Sequence, residues 1–458
     1  MSESPLAIRK EAWSGGDTRL AKAVARPLVR FLEQETASGV LLLAATAAAL
    51  IWANVAPDNY HSFWESGLDV VFRTTHLFEH DGHALPLHLW VNDVLMVLFF
   101  FVAGLEIKSE LVVGDLSDPK VAALPAIAAL GGMLLPALIF YGVNIGGSGA
   151  HGWGVPMATD IAFAVGVLAL LGPRVPFRLK LFLLTLAIAD DIGAILVIAI
   201  FYSSGLSFQW LAAAVAGLVV VALLKKFRVW YIPVYIVVGV FVWYCTFRSG
   251  IHATIAGVAL GLMAPARPLL GPRAFENIED IVTGERATPA AVRDVNWKMK
   301  ETVPITSRLI TLLSPFTGFI IVPLFAVANA GVLLSGDVLS NAISNRVMWG
   351  VILGLVVGKP LGITLFTMAA VRLGIADMPR GVSLIHVLAA GAVAGIGFTV
   401  ALFIGGLAFE IPDNQDAATI GILAASFLAT LLGAFLIRLA PAPTSADNVV
   451  ESDHHAHA

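Results

Sequence analysis

The feature that most constrains this chain is a series of long apolar runs, many of them close to 20 residues, that recur along almost its whole length. A helix of about 20 apolar residues crosses the hydrocarbon core of a bilayer, because each residue adds about 1.5 Å. The runs are apolar on every side, unlike the alternating segments of an outer-membrane barrel. Charged residues make up 13% of the 458, whereas soluble proteins have about 25%. The sequence therefore predicts an all-α polytopic membrane protein.

Twelve apolar segments can be counted, and they define the expected organisation of the chain. They span roughly 36–56, 89–105, 121–143, 154–171, 179–202, 208–224, 231–247, 250–264, 311–334, 347–371, 384–408 and 416–437. We expect a cytoplasmic N-terminal segment (1–35), one transmembrane domain (36–438) with a cytoplasmic linker near 265–310, and a cytoplasmic, disordered tail (439–458). The segment 1–35 has no small-residue cleavage site, so no removable signal peptide is predicted. The single cysteine, Cys245, excludes an intrachain disulfide and a cysteine-based metal site.

The positions of Lys and Arg predict the orientation, since positively charged loops stay on the cytoplasmic side of a membrane. With the N-terminus inside, 24 of the 28 basic residues fall in cytoplasmic loops and tails. Three fall in outside loops (Arg73, Arg248 and Arg346), and Lys359 lies within an apolar segment. One miscounted segment would move every later loop to the opposite side of the membrane and destroy this sorting. The distribution of Lys and Arg therefore predicts twelve spans with both termini cytoplasmic.

Four ionisable residues lie well inside apolar segments: Asp160, Asp190, Asp191 and Lys359. Asp93 lies near the end of its segment and is weaker evidence. Each such group costs about 2.5–3.5 kcal/mol or more in the membrane, so it normally faces the protein interior and serves a function. The adjacent carboxylates Asp190 and Asp191 resist double ionisation, so protons and a small cation would compete for them. The simpler alternatives remain open: carboxylates satisfied by backbone donors, and Lys359 as their structural partner.

Two segments also contain helix interruptions. Pro156 lies shortly before Thr159 and Asp160 in the fourth segment, and glycines at 391, 395 and 397 interrupt the eleventh. Interrupted helices in two halves of a transporter indicate its binding site, although glycines are also common at close-packed helix contacts. A break exposes positive partial charge at a half-helix N-terminus and negative charge at a C-terminus. Asp160 could compensate the first and Lys359 the second.

Seven motifs, spread over all but the tails, resemble the NhaA-type sodium/proton antiporters. They are GLEIKSEL (104–111), ATDIAFAVGVLALLG (158–172), LKLFLLTLAIADDIGAI (179–195), GIHATIAG (250–257), PLFAVANAG (323–331), GKPLGI (358–363) and GIGFTVALFIGGLAF (395–409). The resemblance implies twelve helices in which the third to fifth and the tenth to twelfth form an inverted repeat. It also implies that the fourth and eleventh are broken and cross at mid-membrane.

The resemblance further implies roles for individual residues. Asp190 and Asp191 become the carboxylates that bind the cation and the protons, and Thr159 lines the same site. Asp160 balances the half-helix ends. Lys359 pairs with Asp190, and sodium would break that pair.

A second group, Glu106, Lys108, Glu110 and His252, corresponds to the family's cytoplasmic pH-sensing region and its neighbourhood. A packed or capping role for His252 is the alternative, although an ordinary histidine pKa suits a pH sensor. Ser109 stands where the best-known members carry an arginine. In addition, the loop before the ninth helix is longer here, and the following SRLITLLSP has no acidic residue. The pH threshold is therefore the least constrained property.

The expected function is an electrogenic, pH-regulated secondary antiporter that expels Na⁺ or Li⁺ in exchange for H⁺ across a bacterial inner membrane. It would be no enzyme, would need no cofactor, and would form a homodimer in the lipid bilayer. The alternative is a proton-coupled carrier for K⁺ or another substrate on the same scaffold. An intramembrane aspartyl protease would require aspartates on different helices in a GxGD context, and would give Lys359 no role. A passive channel is less favoured, because broken helices that meet at mid-depth suit an occluded site.

Several other patterns carry no functional prediction. The outside loop 57–88 and the tail (DHHAHA) are rich in histidine, but no fixed ligand spacing repeats, so solvated side chains are favoured over a metal site. The loop histidines are His61, His76, His80, His83 and His88. GSGAHG (147–152) lacks a preceding strand, and GLVVGKP (354–360) is too short for a phosphate loop. Neither a nucleotide nor a nucleic acid is predicted.

Overall fold

The computed structural model describes residues 36–441, with the exception of 69–70, 73–74, 77–78, 81–82, 204, 228, 230 and 269, and of 271–300 only 288, 293 and 296. The predicted N-terminal segment (1–35), most of the predicted linker and nearly all of the histidine-containing tail lie outside the described residues.

Helices make up almost all of the described structure. In chain order they are α1 (Thr36–Val55), α2 (Pro57–Trp64), α3 (Leu87–Val112), α4 (Pro119–Asn144), α5 (Ile161–Leu170), α6 (Phe177–Phe201), α7 (Phe208–Lys226), α8 (Ile232–Arg248), α9 (Thr254–Met263), α10 (Ile305–Asn329), α11 (Gly336–Ser344), α12 (Arg346–Arg372), α13 (Leu384–Ala394), α14 (Phe398–Ala408) and α15 (Pro412–Leu439). A 3₁₀ helix (Ala150–Met157) precedes α5, and shorter 3₁₀ turns lie at Asp115–Ser117 and Gly172–Arg174.

Eight of the described helices are long and apolar enough to cross a membrane, namely α1, α3, α4, α6, α7, α10, α12 and α15. Two pairs of shorter helices would each make one further span with a bend: the 3₁₀ helix with α5, bent by 42°, and α13 with α14, bent by 50°. Two more apolar helices are shorter, α8 with 17 residues and α9 with 10. The structure thus confirms a polytopic helical membrane protein, with eight to ten candidate spans among the described residues.

The outer surface of the bundle is apolar because lipid, not water, surrounds such helices. Leu138 on α4, Ile200 on α6 and Val237 on α8 are all exposed. Burial of apolar side chains therefore does not hold these helices together, and close packing of small residues takes its place.

Glycines mark the closest helix contacts. Gly131 on α4 and Gly362 on α12 face each other so tightly that a Cβ on either would collide with the other's carbonyl oxygen. Gly358, earlier on α12, lies against Pro136, later on α4, so these two helices are antiparallel. By the same reasoning α3 and α9 are parallel, because Gly257 lies against Val97 and Gly261, later on α9, lies against Gly104, later on α3. Consecutive predicted segments cross the membrane in alternating directions, and this alternation requires both of these orientations.

The long connection between α1 and α3 contains structure that the sequence analysis did not predict. Besides α2, it forms two antiparallel hairpins of two-residue strands: β1 (Val71–Phe72) with β2 (Thr75–His76), and β3 (Glu79–His80) with β4 (His83–Ala84). Strands this short are too brief to leave a periodic pattern in a sequence. The start of α2 does carry a signal, because Pro57 and Asp58 suit a first helical turn.

Candidate functional site

Two helix breaks meet inside the bundle. One is the stretch 158–160 between the 3₁₀ helix and α5, and the other is 395–397 between α13 and α14. The backbone N–H of Asp160 donates to the carbonyl oxygen of Ile396 at 2.7 Å. The breaks that Pro156 and the three glycines indicated are therefore in direct contact.

Asp160 caps the half-helices on both sides of this contact. Its Oδ1 accepts from the backbone N–H of Phe163 at 3.0 Å, in the first turn of α5. Its Oδ2 accepts from the backbone N–H of Thr399 at 3.1 Å and from the Thr399 hydroxyl at 2.7 Å, in the first turn of α14. Helix N-termini carry partial positive charge, so a single buried carboxylate stabilises both.

Lys359, Asp190 and Thr159 form a second, fully buried cluster. The Lys359 ammonium makes an ion pair with Asp190 Oδ2 and donates to the Thr159 hydroxyl at 2.7 Å. The Thr159 hydroxyl lies 2.8 Å from the same Asp190 oxygen and 2.9 Å from the carbonyl oxygen of Ala394. It carries one proton, so it donates to only one of these oxygens at a time. This cluster joins α12, α6 and both helix breaks.

One oxygen of this cluster has no partner. Asp190 Oδ1 is buried and accepts no hydrogen bond from the described residues. Nearly all buried polar atoms in proteins are paired, since an unpaired one loses its hydration without compensation. The Asp190 carboxylate is therefore only half satisfied by the protein, and a cation or a proton would complete it.

The backbone around Lys359 is also irregular. A π-helical turn (Gly354–Gly358) directly precedes it within α12. Pro360 follows Lys359, and a proline cannot donate to the carbonyl oxygen four residues earlier. Wide turns of this kind are frequent at functional sites. The lysine thus occupies a locally altered helix opposite the two breaks.

Asp191 points elsewhere than Asp190, because neighbouring helical residues are separated by about 100° around the axis. Its side chain is partly exposed and takes no part in the Lys359 cluster. The charged groups around it are Asp190, Glu106, Lys359 and Asp160. Asp191 is therefore the more accessible carboxylate of the pair.

The assembled groups are chemically suited to a small hard cation. Carboxylate, hydroxyl and carbonyl oxygens are the ligands that such ions prefer. In the described part of the chain no group of three or more His, Cys, Asp or Glu side chains could hold a resident metal ion.

The chain is similar to known proteins over nearly its whole length. A family model described as Na⁺/H⁺ antiporter 1 matches residues 29–437, which is nearly the whole chain. The chain belongs to this antiporter family. The resemblance that the seven motifs indicated is thereby confirmed.

Curated relatives of this NhaA-type chain match it over nearly their full lengths. A protein named Na⁺/H⁺ antiporter NhaA 2 from Sorangium cellulosum is 44% identical over 452 residues, which cover 96% of this chain and 95% of the relative. Proteins named Na⁺/H⁺ antiporter NhaA from Oleidesulfovibrio alaskensis and Helicobacter pylori are 44% and 41% identical, covering 90% and 91% of this chain and 94% and 96% of the relatives. The family relation therefore extends over the whole described bundle.

The residues expected to sense pH do not form one group in this NhaA-type chain. Glu106, Lys108 and Glu110 lie on the last turns of α3, and Glu110 Oε2 accepts from the backbone N–H of Asp115 at 3.0 Å. Of these, Glu106 is one of the charged groups around Asp191.

His252 lies at the far end of the α3–α9 contact from these residues. It precedes α9, whose Gly261 packs against Gly104. At about 1.5 Å per residue, His252 is more than roughly 10 Å along the axis from that level. Its Nε2 lies 2.8 Å from the carbonyl oxygen of Tyr202. The structure thus separates His252 from the Glu106 region with which the sequence analysis grouped it.

Thr399 is the residue of the candidate site that the sequence did not indicate. It follows the glycines of GIGFTV and supplies two donors to Asp160, its backbone N–H and its hydroxyl. The sequence feature that could have indicated it is a hydroxyl side chain in the first helical turn after a predicted break. Asp93, which the sequence ranked as weaker, is separate from the site, and its backbone carbonyl accepts from Trp243 Nε1 at 2.8 Å.

Proposed function

We propose that this protein is a secondary active antiporter that exchanges Na⁺ or Li⁺ for H⁺ and is electrogenic and pH-regulated. The observation that carries the proposal is the Asp190 carboxylate, which is bound by Lys359 and Thr159 on one oxygen and unpaired on the other. It lies where two broken helices meet, and a partly exposed second carboxylate follows it in the chain. The curated relatives, which are named Na⁺/H⁺ antiporters, support the same function.

The proposed architecture has twelve spans in the bacterial inner membrane, with both termini cytoplasmic. Each bent pair counts as one span, and α8 and α9 complete the set. In the inverted repeat, α4, the 3₁₀ helix with α5, and α6 correspond to α12, α13 with α14, and α15. The antiparallel contact of α4 with α12 and the mutual contact of the two breaks support this symmetry.

Sodium would enter by competing with the ammonium group of Lys359. Asp190, Asp191 and Thr159 would supply the ion's oxygen ligands. Two cations on one carboxylate repel each other strongly in a site that excludes water, so sodium binding would break the pair between Lys359 and Asp190. The Asp160 carboxylate keeps the half-helix ends compensated while this happens.

Protons would return the site to its first state. After the site turns outward, protons rebind the carboxylates and release the cation. With two protons per sodium, one net charge moves inward in each cycle. An interior-negative potential of 100 mV then supplies about 2.3 kcal/mol, which maintains an approximately fiftyfold sodium gradient.

Regulation would act through Glu106, Lys108 and Glu110 on the last turns of α3, and separately through His252. The exchange itself would need only the transported ions and the side chains of the chain, without a cofactor and without enzymatic chemistry. Assembly as a homodimer in the lipid bilayer is also proposed.

Exchange by purified protein in proteoliposomes tests the proposal. A pH-sensitive dye inside the vesicles would report proton movement after pulses of Na⁺, Li⁺ or K⁺ at pH 6.5–8.5. Sodium and lithium should move protons in the wild type and in the matched control Asp413→Asn, which changes an exposed carboxylate of α15. Asp191→Asn should abolish the response. A response to K⁺ equal to that for Na⁺ would favour a proton-coupled K⁺ carrier, and no response to any cation would contradict the proposal.

A further inference from the structure

Tyr202 joins three elements immediately beyond the end of α6. It follows the helix that carries Asp190 and Asp191, and only 5% of its surface is exposed. Its hydroxyl donates to the carbonyl oxygen of His151 at 2.9 Å and accepts from the backbone N–H of Gly154 at 3.1 Å. Both partners belong to the 3₁₀ helix, which ends two residues before Thr159. The hydroxyl therefore links α6, which carries Asp190, to the 3₁₀ helix that directly precedes the break with Thr159.

The packing around this hydroxyl is tight and specific. A Cβ on Gly154 would lie 2.8 Å from the Tyr202 hydroxyl oxygen and 3.0 Å from its ring, closer than real Cβ atoms allow. The ring of His151 packs against that of Tyr202 with centroids 5.0 Å apart. A glycine at 154 is thus required for the hydroxyl to reach the backbone N–H.

The backbone of Tyr202 is bound as well. His252 Nε2 lies 2.8 Å from its carbonyl oxygen, so with the proton on that nitrogen the imidazole donates to this oxygen. Carbonyl groups beyond a helix C-terminus have no donor within the helix, so the imidazole satisfies one of them. This bond holds α6 to the segment that precedes α9. Both the neutral tautomer and the protonated imidazole can donate here, so the bond persists through titration.

We propose that Tyr202 is a positioning residue for the ion exchange, because its hydroxyl sets the position of the 3₁₀ helix relative to α6. Thr159 and Asp190 contact each other at 2.8 Å and share the Lys359 ammonium. The 3₁₀ helix that precedes Thr159 contacts the end of α6 again at Tyr202, roughly 18 Å from Asp190 along the helix axis. Two contacts fix the angle between the 3₁₀ helix and α6, whereas a single contact would leave that angle variable. The inference rests on the proposed function of the Asp190 site.

Tyr202→Phe is the direct test, since it removes the hydroxyl and keeps the ring. It leaves the Gly154 N–H and the His151 carbonyl group without their partner. In proteoliposomes we expect the half-maximal Na⁺ concentration to rise about fivefold, the effect of one hydrogen bond, with the maximal rate retained. Tyr141→Phe is the matched control, because Tyr141 is an exposed tyrosine on α4.

Gly154→Ala tests the same contact from the other side and serves if Tyr202→Phe does not fold. Its Cβ displaces the hydroxyl, so the half-maximal Na⁺ concentration should rise in the same direction. The two substitutions should not add, because both break one contact.

Hydrogen–deuterium exchange of the peptide that contains Gly154 separates this inference from the proposed function. It should be faster in Tyr202→Phe than in the wild type, whether or not the protein transports sodium. Faster exchange with an unchanged half-maximal Na⁺ concentration would overturn the positioning role. Unchanged exchange in a folded variant would overturn the contact itself. A wild type without a sodium response would instead contradict the proposed function.

Discussion

Lys359 and Asp190 form an ion pair from which solvent is completely excluded, with both side chains 0% exposed. Burying two charges costs several kcal/mol each, and their attraction compensates for this only with good geometry and further hydrogen bonds. Thr159 supplies one such bond to each partner, while Asp190 Oδ1 receives none. The protein thus holds this pair in place while leaving one Asp190 oxygen unpaired, and the proposed function has a competing cation open the pair.

Removal of the lysine should destabilise the protein and make its stability depend on pH. In Lys359→Ala, a buried carboxylate loses its partner, which typically costs about 3–5 kcal/mol. The loss should grow as pH rises, because Asp190 must then ionise without a counter-charge. Thermal unfolding in detergent at several pH values measures this. The double variant Asp190→Asn/Lys359→Ala should recover much of the stability at high pH, and a failure to recover it would contradict the pairing.

Thr399→Val should weaken the cap on α5 and α14 while it preserves the side-chain shape. One of the two donors to Asp160 Oδ2 is lost and the backbone N–H remains. A hydrogen bond to a charged group contributes about 1.5–3 kcal/mol, so the apparent melting temperature should fall and exchange activity with it. Thr430→Val is the control, because that hydroxyl donates within its own helix. Equal effects of the two substitutions would contradict the capping role.

A reciprocal pair of amides should couple α3 to α10. Asn92 Nδ2 donates to Asn329 Oδ1 at 3.0 Å, and Asn329 Nδ2 donates to Asn92 Oδ1 at 2.9 Å. A double-mutant cycle with Asn92→Ala and Asn329→Ala should give a coupling free energy near the membrane-protein average of about 0.6 kcal/mol. Strictly additive losses would show that the two amides act independently.

Tyr60 should contribute stability that disappears only at strongly alkaline pH. Its hydroxyl donates to the carbonyl oxygen of Val327 at 2.8 Å, and burial raises the pKa of Tyr60 to about 12. The folded state favours the neutral phenol, so the contribution is full below the unfolded pKa of about 10 and is lost as pH rises towards 12. Below pH 10, Tyr60→Phe should therefore be less stable by about 1 kcal/mol. Thermal unfolding at pH 8–11.5 would show the difference shrinking, and a constant difference would contradict it.

The sequence predicted the parts of this structure that leave local signals. Apolar length indicated the long spans, and four charges in apolar runs indicated Asp160, Asp190, Asp191 and Lys359. Pro156 and the three glycines indicated both helix breaks. These signals are strong because a membrane penalises charge and irregular backbone.

The remaining features depend on contacts between distant parts of the chain. The residues alone left Asp190 and Asp191 equally eligible as the partner of Lys359, and only the resemblance favoured Asp190. Thr399 is recognised as part of the site only from its hydrogen bonds to Asp160, which depend on how α14 packs. The separation of His252 from Glu106 follows from the parallel direction of α3 and α9, which the alternation of segments already required and which the grouping by family resemblance did not take into account.

Proton release caused by sodium is the most direct test of competition at the aspartate pair. Purified protein in weakly buffered detergent solution at pH 8 would receive NaCl, LiCl or choline chloride while a pH dye records the protons. The account predicts saturable release with Na⁺ and Li⁺, none with choline, and none in Asp191→Asn. Binding of ²²Na⁺ without proton release in the wild type, or full release in Asp191→Asn, would contradict it.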